Sequence, residues 1–168
     1  MKIETKRLEV FPLNYALLGL YLANNGSFEA FLRLKKSKYE IPAHLIEPLK
    51  MIQLMLLKLA EDDSKTHSLW IIIDKKRRVN IGSFMFKNKP NKNKTIEIGY
   101  GIEPDFQNQG YMTEALIGIV DYCKKSSICK KLKAETLSEN IASQKVLQNA
   151  GFKKKYAKKV NFWFEIDC

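Results

Sequence analysis

The amino-acid sequence predicts a single α/β domain over residues 1–168, with a mixed central sheet of about six to seven strands flanked by about four helices. The first observation is the length, because 168 residues fit one domain when domains typically hold roughly 100–200 residues. The second is the order of the hydrophobic patterns. Strand-like segments joined by short turns are followed by an alternation of strand, helix, strand, helix and strand. No internal repeat or linker interrupts this order, so the chain is predicted to fold as one unit.

The N-terminal part is predicted to hold one strand and three helical segments. The strand covers 5–13, where apolar and polar side chains alternate and Pro12 ends the pairing. Asn14 is a typical N-cap for the helix that follows. A short helical segment is predicted from Phe28 to Leu32. A long helix is predicted from Ala43 to about Asp62, because apolar residues recur there every three or four positions.

The next three segments predict an antiparallel meander. Ser68–Ile73 is a continuous apolar run typical of a buried strand, and a charged turn leads from it into a second strand, Val79–Phe86. A polar connection that contains proline then leads to a third strand, Thr95–Ile102. Because the connections are short, successive strands in this part should run antiparallel.

The second half of the chain breaks this pattern. Helices are predicted from about Tyr111 to Lys125 and from Asn140 to Ala150, with a strand over 132–137 between them. Two further strands are predicted around 152–158 and 160–166. Helices that alternate with strands in this way favour an α/β domain.

The composition excludes several classes of protein. Hydrophobic residues make up 45% of the chain and charged residues 28%, which excludes collagen-like, disordered and disulfide-scaffold proteins. No apolar run approaches the roughly 18 residues that span a bilayer, and the N-terminal residues lack the apolar stretch of a signal peptide. We therefore expect a cytoplasmic protein that does not associate with a membrane.

The net charge of +11 raises the alternative of a nucleic-acid-associated protein. Only four of the 29 basic residues are arginine, whose planar fork favours phosphates and base edges. Signatures of helix-turn-helix, zinc-finger and aromatic RNA-binding proteins are also absent from the sequence. A lysine-rich solvated surface is the simpler interpretation, and no specific nucleic acid is expected.

The three cysteines, Cys123, Cys129 and Cys168, show no C-x-x-C spacing. Neither His44 nor His67 lies near them in the sequence to complete a zinc tetrad. We therefore expect free thiols and no metal site.

A polar loop between a strand and a helix carries the first candidate site. It is the run Gln107-Asn108-Gln109-Gly110-Tyr111-Met112, in which Gly110 allows the backbone to come close to a ligand. Free N–H groups at the helix start, together with the helix dipole, favour a phosphate or pyrophosphate. The loop is neither a P-loop nor a dinucleotide fingerprint, because both of those glycine patterns are missing.

The segment from Asn140 to Phe152 carries the second motif. It has an N-cap asparagine, a short helix and a glycine stop. Together with the loop, it resembles the GNAT superfamily of acetyl-CoA-dependent N-acetyltransferases. Gln107 and Gly110 match the family's Q/R-x-x-G-x-G/A motif, and the second segment matches N-x-x-S-x-x-[VL]-[LM]-x-x-x-G-F. With the opening Thr5-Lys6-Arg7-Leu8, the chain is most similar to the branch that includes ribosomal-protein alanine N-acetyltransferases.

This resemblance implies acetyl-CoA as co-substrate and no metal. In the family, strands four and five splay apart and the strand-four backbone pairs with the pantetheine arm. The resemblance assigns that pairing to Ile98, Gly99, Tyr100, Gly101 and Ile102, and the pyrophosphate to Gln107, Asn108, Gln109, Gly110, Tyr111 and Met112. Met112 stands where the family prefers glycine or alanine. Asn140 and Ser143 would lie near the cysteamine end, and Lys145 near the 3′-phosphate.

The resemblance also implies catalytic residues. Glu97 is the candidate general base, and partial desolvation in a cleft would raise the pKa of its carboxyl group. The alternative is a strand glutamate that faces a lysine. Ser143 is the candidate general acid, because Leu147 stands where many family members have a tyrosine; alternatively, this serine satisfies backbone donors. Tyr100 and Tyr156 are further hydroxyls, and Glu114 is a weaker candidate for substrate contact.

The predicted function is transfer of an acetyl group from acetyl-CoA to a primary amine, by direct attack in a ternary complex. The amine belongs to a protein N-terminus or a small molecule. Residues 24–39 are expected to contact the acceptor, and their lysines favour an acidic terminus over a polyamine. Met112 and Leu147 keep open the alternative of a catalytically silent acyl-CoA-binding protein. The aromatic strand near residues 161–166 is compatible with a monomer or a homodimer.

Overall fold

A computed structural model describes residues 2–59 and 64–168. The strands are β1 (Ile3–Glu4), β2 (Leu8–Pro12), β3 (Leu69–Asp74), β4 (Val79–Phe86), β5 (Thr95–Ile102), β6 (Lys131–Leu137), β7 (Lys153–Lys158) and β8 (Asn161–Asp167). The helices that lie within the described ranges are α1 (Tyr15–Ala23), α2 (Ser27–Phe31), α3 (Ala43–Leu56), α4 (Tyr111–Ser126) and α5 (Ile141–Asn149). A 3-10 turn, Pro104–Phe106, connects β5 to the loop before α4.

All the strands belong to one mixed sheet in the order β1-β2-β3-β4-β5-β6-β8-β7. The predicted meander is confirmed, because β3, β4 and β5 pair antiparallel in sequence order. The strand that the sequence did not predict is β1, whose two residues pair with β2. Two residues are too short to show an alternating pattern, so only the tertiary pairing reveals this strand.

The predicted helix boundaries agree with the structure at the capped ends. Asn14 Oδ1 accepts a hydrogen bond from the Leu17 N–H at 2.9 Å, and Asn140 Oδ1 accepts one from the Ser143 N–H at 3.0 Å. The long helix begins at Ala43 as predicted but ends at Leu56, and the last three residues of the predicted segment, 60–62, lie outside the described residues.

Hydrophobic cores lie on both faces of the sheet. One core contains Trp70, Phe84 and Leu116 and lies on the side of α4 and α5. The other contains Leu18 and Phe28 and lies on the side of α1, α2 and α3. Every residue of β3 is buried, because helices cover both faces of this central strand. The continuous apolar run at 68–73 therefore reflects its place in the middle of the sheet.

The feature that positions the site is the separation of β5 from β6. Their parallel ladder joins Thr95–Ile98 to Lys131–Ala134 and extends no further. Beyond that point β5 stays paired with β4, while β6 stays paired with β8. The splay implied by the family resemblance is thus present, and residues 99–102 of β5 have one edge free of a neighbouring strand. A Cβ atom at Gly101 would meet no other atom within 4 Å, so the backbone is accessible there.

Within residues 2–59 and 64–168, no helix combines the length and the apolar character that a bilayer span requires.

Candidate active site

The gap between β5 and β6 continues into a cleft of about 650 Å³. Its walls come from the end of β5, the loop before α4, the first turn of α4 and the first turns of α5. Most of the residues predicted from the sequence line it: Tyr100, Gly101, Ile102, Gln107, Asn108, Gly110, Tyr111, Met112, Asn140, Ser143 and Lys145. The two sequence motifs therefore meet across one cleft, although about 30 residues of chain separate them.

Four predicted site residues do not line this cleft: Glu97, Ile98, Gly99 and Gln109. Ile98 is buried in the core and is the last residue of β5 in the ladder with β6. Gln109 faces its own loop, since its Nε2 donates to the Asp105 carbonyl at 2.6 Å. These four residues are close in the sequence to residues that line the cleft but do not form its wall.

The loop before α4 has the backbone shape of an anion site. Asn108 and Gly110 adopt left-handed conformations, with φ values of 58° and 74°. The turn delivers the chain into α4 at Tyr111, where the first N–H groups of the helix have no intrahelical acceptors. Those N–H groups and the positive end of the helix dipole favour a pyrophosphate.

Met112 does not obstruct this loop. Its side chain is only 3% exposed and belongs to the same core cluster as Ala115 and Leu116. A methionine at this position therefore keeps its backbone N–H at the helix start while its side chain packs into the core. The departure from the family motif is accommodated by packing.

Arg7 supports the loop from the N-terminal segment. Its Nη1 donates to the Gln109 carbonyl at 3.0 Å, and its guanidinium carbon lies 4.1 Å from the centre of the Tyr111 ring. In the sequence, Arg7 stands out only as part of the opening Thr5-Lys6-Arg7-Leu8. Its role depends on a contact between residues about 100 positions apart, which no local pattern shows.

Glu114 is held by the same N-terminal segment. Arg7 Nε donates to Glu114 Oε2 at 2.6 Å, while Thr5 Oγ1 and the Arg7 N–H donate to Oε1 at 2.6 and 2.7 Å. Burial alone would raise the pKa of Glu114, but these hydrogen bonds lower it. Glu114 thus anchors the first strand to α4, and it does not line the cleft between β5 and α5.

A pair of hydroxyl groups lies inside the cleft. The Tyr100 hydroxyl, on the open part of β5, is 2.8 Å from Ser143 Oγ in the first turn of α5. The Ser143 N–H is bonded to Asn140 Oδ1, which leaves the serine hydroxyl for this contact. Burial raises the pKa of Tyr100 to about 12, so its hydroxyl stays protonated at neutral pH. Tyr100 is only a secondary candidate from the sequence, because no local pattern shows that it meets Ser143.

Glu97 lies at the vertex where β5 and β6 begin to separate, one residue before Ile98. Its Oε1 is 2.8 Å from Lys87 Nζ, and its Oε2 is 3.2 Å from Lys133 Nζ. The expectation of a raised pKa is wrong. Burial acts in that direction, but the two lysines outweigh it and lower the pKa of Glu97. The alternative of a strand glutamate facing lysine describes its surroundings.

A narrow crevice lies on the α1 and α2 side of the sheet, next to the end of β5. Carboxylates from separate segments line it: Glu29, Glu40 and Glu103. Burial raises the pKa of Glu103. The expectation of a basic acceptor rim stays a prediction, and this crevice is acidic because the fold brings together glutamates from three separate segments.

A mixed sheet with one splayed strand pair, an open helix start and a hydroxyl pair in one cleft fits an acyl-CoA-dependent transferase. The family model described as the acetyltransferase (GNAT) domain matches residues 22–153, and the chain belongs to this family. It is an acetyltransferase that uses acetyl-CoA as co-substrate. This result favours the enzymatic interpretation over the nucleic-acid alternative.

Similar proteins agree with this assignment. The chain is 36% identical over 76 residues to the N-acetyltransferase YnaD of Bacillus subtilis strain 168, a match that spans 42% of this chain and 45% of that protein. Its fold resembles the ribosomal-protein-S5-alanine acetyltransferase of Vibrio fischeri, with a TM-score of 0.73, 19% identity and coverage of 99% of this chain and 96% of the other. It also resembles RimL, a ribosomal L7/L12 alpha-N-protein acetyltransferase solved with coenzyme A, with a TM-score of 0.69, 20% identity and coverage of 99% and 98%.

Proposed function

We propose that this protein transfers the acetyl group of acetyl-CoA to the α-amine at the N-terminus of a protein, by direct attack in a ternary complex. The observation that carries the proposal is the single cleft that combines an anion site, a free strand edge and the Tyr100–Ser143 hydroxyl pair. The ribosomal-protein substrates named for two structurally similar proteins support a protein amine as acceptor.

The cofactor is proposed to enter with its pyrophosphate at Gln107 to Met112. The pantetheine arm then runs along the free edge of β5 at Tyr100 to Ile102, where strand N–H and carbonyl groups can pair with its amides. Lys145, in the wall of the same cleft, adds positive charge for the phosphates. This orientation directs the thioester toward the vertex of the splayed strands and toward Asn140 and Ser143.

The reaction forms a bond from the amine nitrogen to the acetyl carbon and breaks the bond from that carbon to sulfur. The thiolate leaves with the electron pair, and the attacking amine loses a proton to solvent water, which also returns a proton to any hydroxyl that has protonated the sulfur. We assign the Tyr100–Ser143 pair to donate a hydrogen bond or a proton to the leaving sulfur. A tyrosine kept protonated by burial is suited to that role at neutral pH.

The acceptor is proposed to approach from the α1 and α2 side, past the crevice of Glu29, Glu40 and Glu103. Carboxylates attract an ammonium group, so this lining favours a cationic amine over an anionic small molecule. This reverses the charge preference inferred from the lysines of the sequence.

The test has two stages. In a thermal-shift titration, acetyl-CoA or CoA at about 100 times the dissociation constant should raise Tm by roughly 5–10 °C, whereas ATP should not. Release of free thiol from acetyl-CoA is then measured with peptides that carry a free N-terminus, with the same peptides blocked at the N-terminus, and with polyamines. Turnover only of the free peptides supports the proposal. If the only substrates are polyamines, or lysine side chains of peptides whose N-terminus is blocked, the N-terminal acceptor is rejected and acetyl transfer itself is not.

A further inference from the structure

The three cysteines converge at the end of α4 that is remote from the cleft. Cys123 lies in the last turns of α4, Cys129 lies in the loop before β6, and Cys168 follows β8. Their sulfur atoms all lie within 4.8 Å of one another, and those of Cys129 and Cys168 are 3.8 Å apart. No disulfide joins them. The spacing of the cysteines in the sequence predicted free thiols and no metal site. That spacing does not show that β8 returns beside the end of α4.

The spacing of the sulfurs suits a shared metal ion. With metal–sulfur bonds of about 2.3 Å, two thiolates on one ion lie about 3.8–4.0 Å apart in tetrahedral or trigonal geometry. A disulfide would bring two sulfurs to about 2.05 Å, which is much closer than the distance between Cys129 and Cys168. The cluster therefore needs little movement to hold an ion and more movement to form a disulfide.

The cluster has one accessible side. Cys123 and Cys129 are buried, with exposures of 0% and 3%, whereas Cys168 is half-buried. An ion can therefore reach the cluster through Cys168 and be enclosed by the other two sulfurs.

We propose that Cys123, Cys129 and Cys168 form a site for a soft, thiophilic metal ion, of which Cu(I) and Zn²⁺ are the natural probes. Thiolate ligands select such ions over hard ones. The site is separate from acetyl transfer, because Cys123 lies twelve residues, or about 18 Å of helix, from the start of α4. A bound ion would tie α4 to the loop before β6 and to the end of β8. Binding would also release protons, because a thiol loses its proton when it becomes a metal ligand.

The test uses the reduced, metal-free protein under anaerobic conditions. Cd²⁺ is titrated to detect the ultraviolet charge-transfer absorption of thiolate ligands, and Zn²⁺ and Cu(I) are titrated against chromophoric chelators. We expect one ion per chain by native mass spectrometry, proton release on binding, a higher Tm and protection of the thiols from alkylation. Fully reduced protein that gives no charge-transfer band and no 1:1 complex with any of these ions would overturn the proposal.

Variants locate the ligands. Cys168→Ser and Cys129→Ser should each abolish the charge-transfer band or weaken binding at least tenfold, while circular dichroism verifies that they fold. Asp167→Asn is the matched control, because it removes an exposed carboxylate next to Cys168 and should bind Cd²⁺ as the wild type does. Undiminished binding in both cysteine variants, or loss of binding in Asp167→Asn alone, would show that surface carboxylates hold the ion and would overturn the three-cysteine site.

Discussion

The hydroxyl groups of Tyr100 and Ser143 lie 2.8 Å apart and join the free edge of β5 to the first turn of α5. This contact spans the opening that forms where β5 and β6 stop pairing. It places two proton-bearing oxygens in the cleft, on elements that the Asn140 cap and the ladder with β4 hold in position. The chemistry proposed for the protein depends on this pair.

Tyr100→Phe is expected to lower kcat by about 100-fold, at the low end of what a general acid contributes, because a thiolate leaves readily. The KM for acetyl-CoA should change little, since the phenyl ring keeps its packing. Tyr156→Phe is the matched control, because Tyr156 is an exposed tyrosine on β7 outside the cleft. Steady-state thiol release measures both variants. Equal kcat values for Tyr100→Phe and wild type would exclude the Tyr100 hydroxyl from the reaction.

The pH dependence of kcat provides a separate test of the Tyr100 hydroxyl. A general acid works while it is protonated, and burial raises the pKa of Tyr100 to about 12. Activity that depends on this proton is lost only as the pH rises through that value. We therefore expect kcat to show no alkaline decline up to about pH 10, the ordinary pKa of tyrosine. A decline centred well below pH 10 in a protein that remains folded would assign the proton to another group.

Gly110→Ala is expected to weaken coenzyme A binding about tenfold, because a Cβ at φ 74° costs about 1–2 kcal/mol and moves the loop. Gly26→Ala is the matched control: Gly26 also has a left-handed backbone, with φ 87°, but lies before α2. Both variants should lose a similar amount of stability, and only Gly110→Ala should lose affinity in the thermal-shift titration. Unchanged affinity in Gly110→Ala would place the pyrophosphate elsewhere.

Arg7→Met is expected to reduce the free energy of unfolding by about 1–3 kcal/mol, because Glu114 loses charged hydrogen bonds that are partly buried. Coenzyme A affinity should also fall, since Arg7 holds the Gln109 carbonyl in the loop. Lys6→Met, at the exposed neighbouring position, is the control. Chemical denaturation and the ligand titration measure the two effects. If Arg7→Met and Lys6→Met have the same free energy of unfolding, the Arg7–Glu114 contact contributes nothing to stability.

Glu97→Gln tests the two interpretations of this residue. The pKa of Glu97 is lower in the folded protein than in the unfolded chain. Its ion pairs therefore stabilise the protein above about pH 4.5, and this stabilisation is lost as the pH falls through the pKa of the folded state. We expect the variant to be less stable than wild type at pH 7 and equally stable in acid, and we expect kcat to stay within tenfold of wild type.

Glu165→Gln is the matched control for Glu97→Gln, because Glu165 is also a strand glutamate paired with a lysine, at 3.0 Å from Lys131. A fall in kcat of about 100-fold or more in Glu97→Gln, without a comparable fall in Glu165→Gln, would support Glu97 as the general base predicted from the family resemblance.

Glu103→Gln is expected to raise the KM for a cationic peptide acceptor several-fold and to leave acetyl-CoA affinity unchanged. The pKa of Glu103 is raised by burial, so in the wild type the KM should fall as the pH rises through that pKa and the carboxylate forms. Glu47→Gln on α3, where Glu47 pairs with Lys50 at the surface, is the control. An acceptor KM that is the same in both variants and in wild type would place the acceptor outside the crevice.

The order and type of the elements could be predicted from the sequence because they depend on local chemistry. Asn14 and Asn140 cap helices through hydrogen bonds to residues three positions ahead. The apolar run at 68–73 predicts a strand buried on both faces, as β3 is in the middle of the sheet. The glycine turn at 107–112 and the helix start after it also show in the local sequence, although the contact with Arg7 does not. The family resemblance of the two motifs therefore predicted which segments line the cleft.

Only the tertiary structure decided how individual side chains pair. Glu97 was expected to be desolvated, and the fold places it between Lys87, which follows β4, and Lys133 on β6. The contacts of Arg7 with Glu114 and of Tyr100 with Ser143 join residues 107 and 43 positions apart. Such contacts depend on strand register and on where helices pack, and both are set by burial across the whole sheet. The same reason explains why three cysteines with unrelated spacing meet at one point: the sequence determined the segments, and packing determined which of their side chains touch.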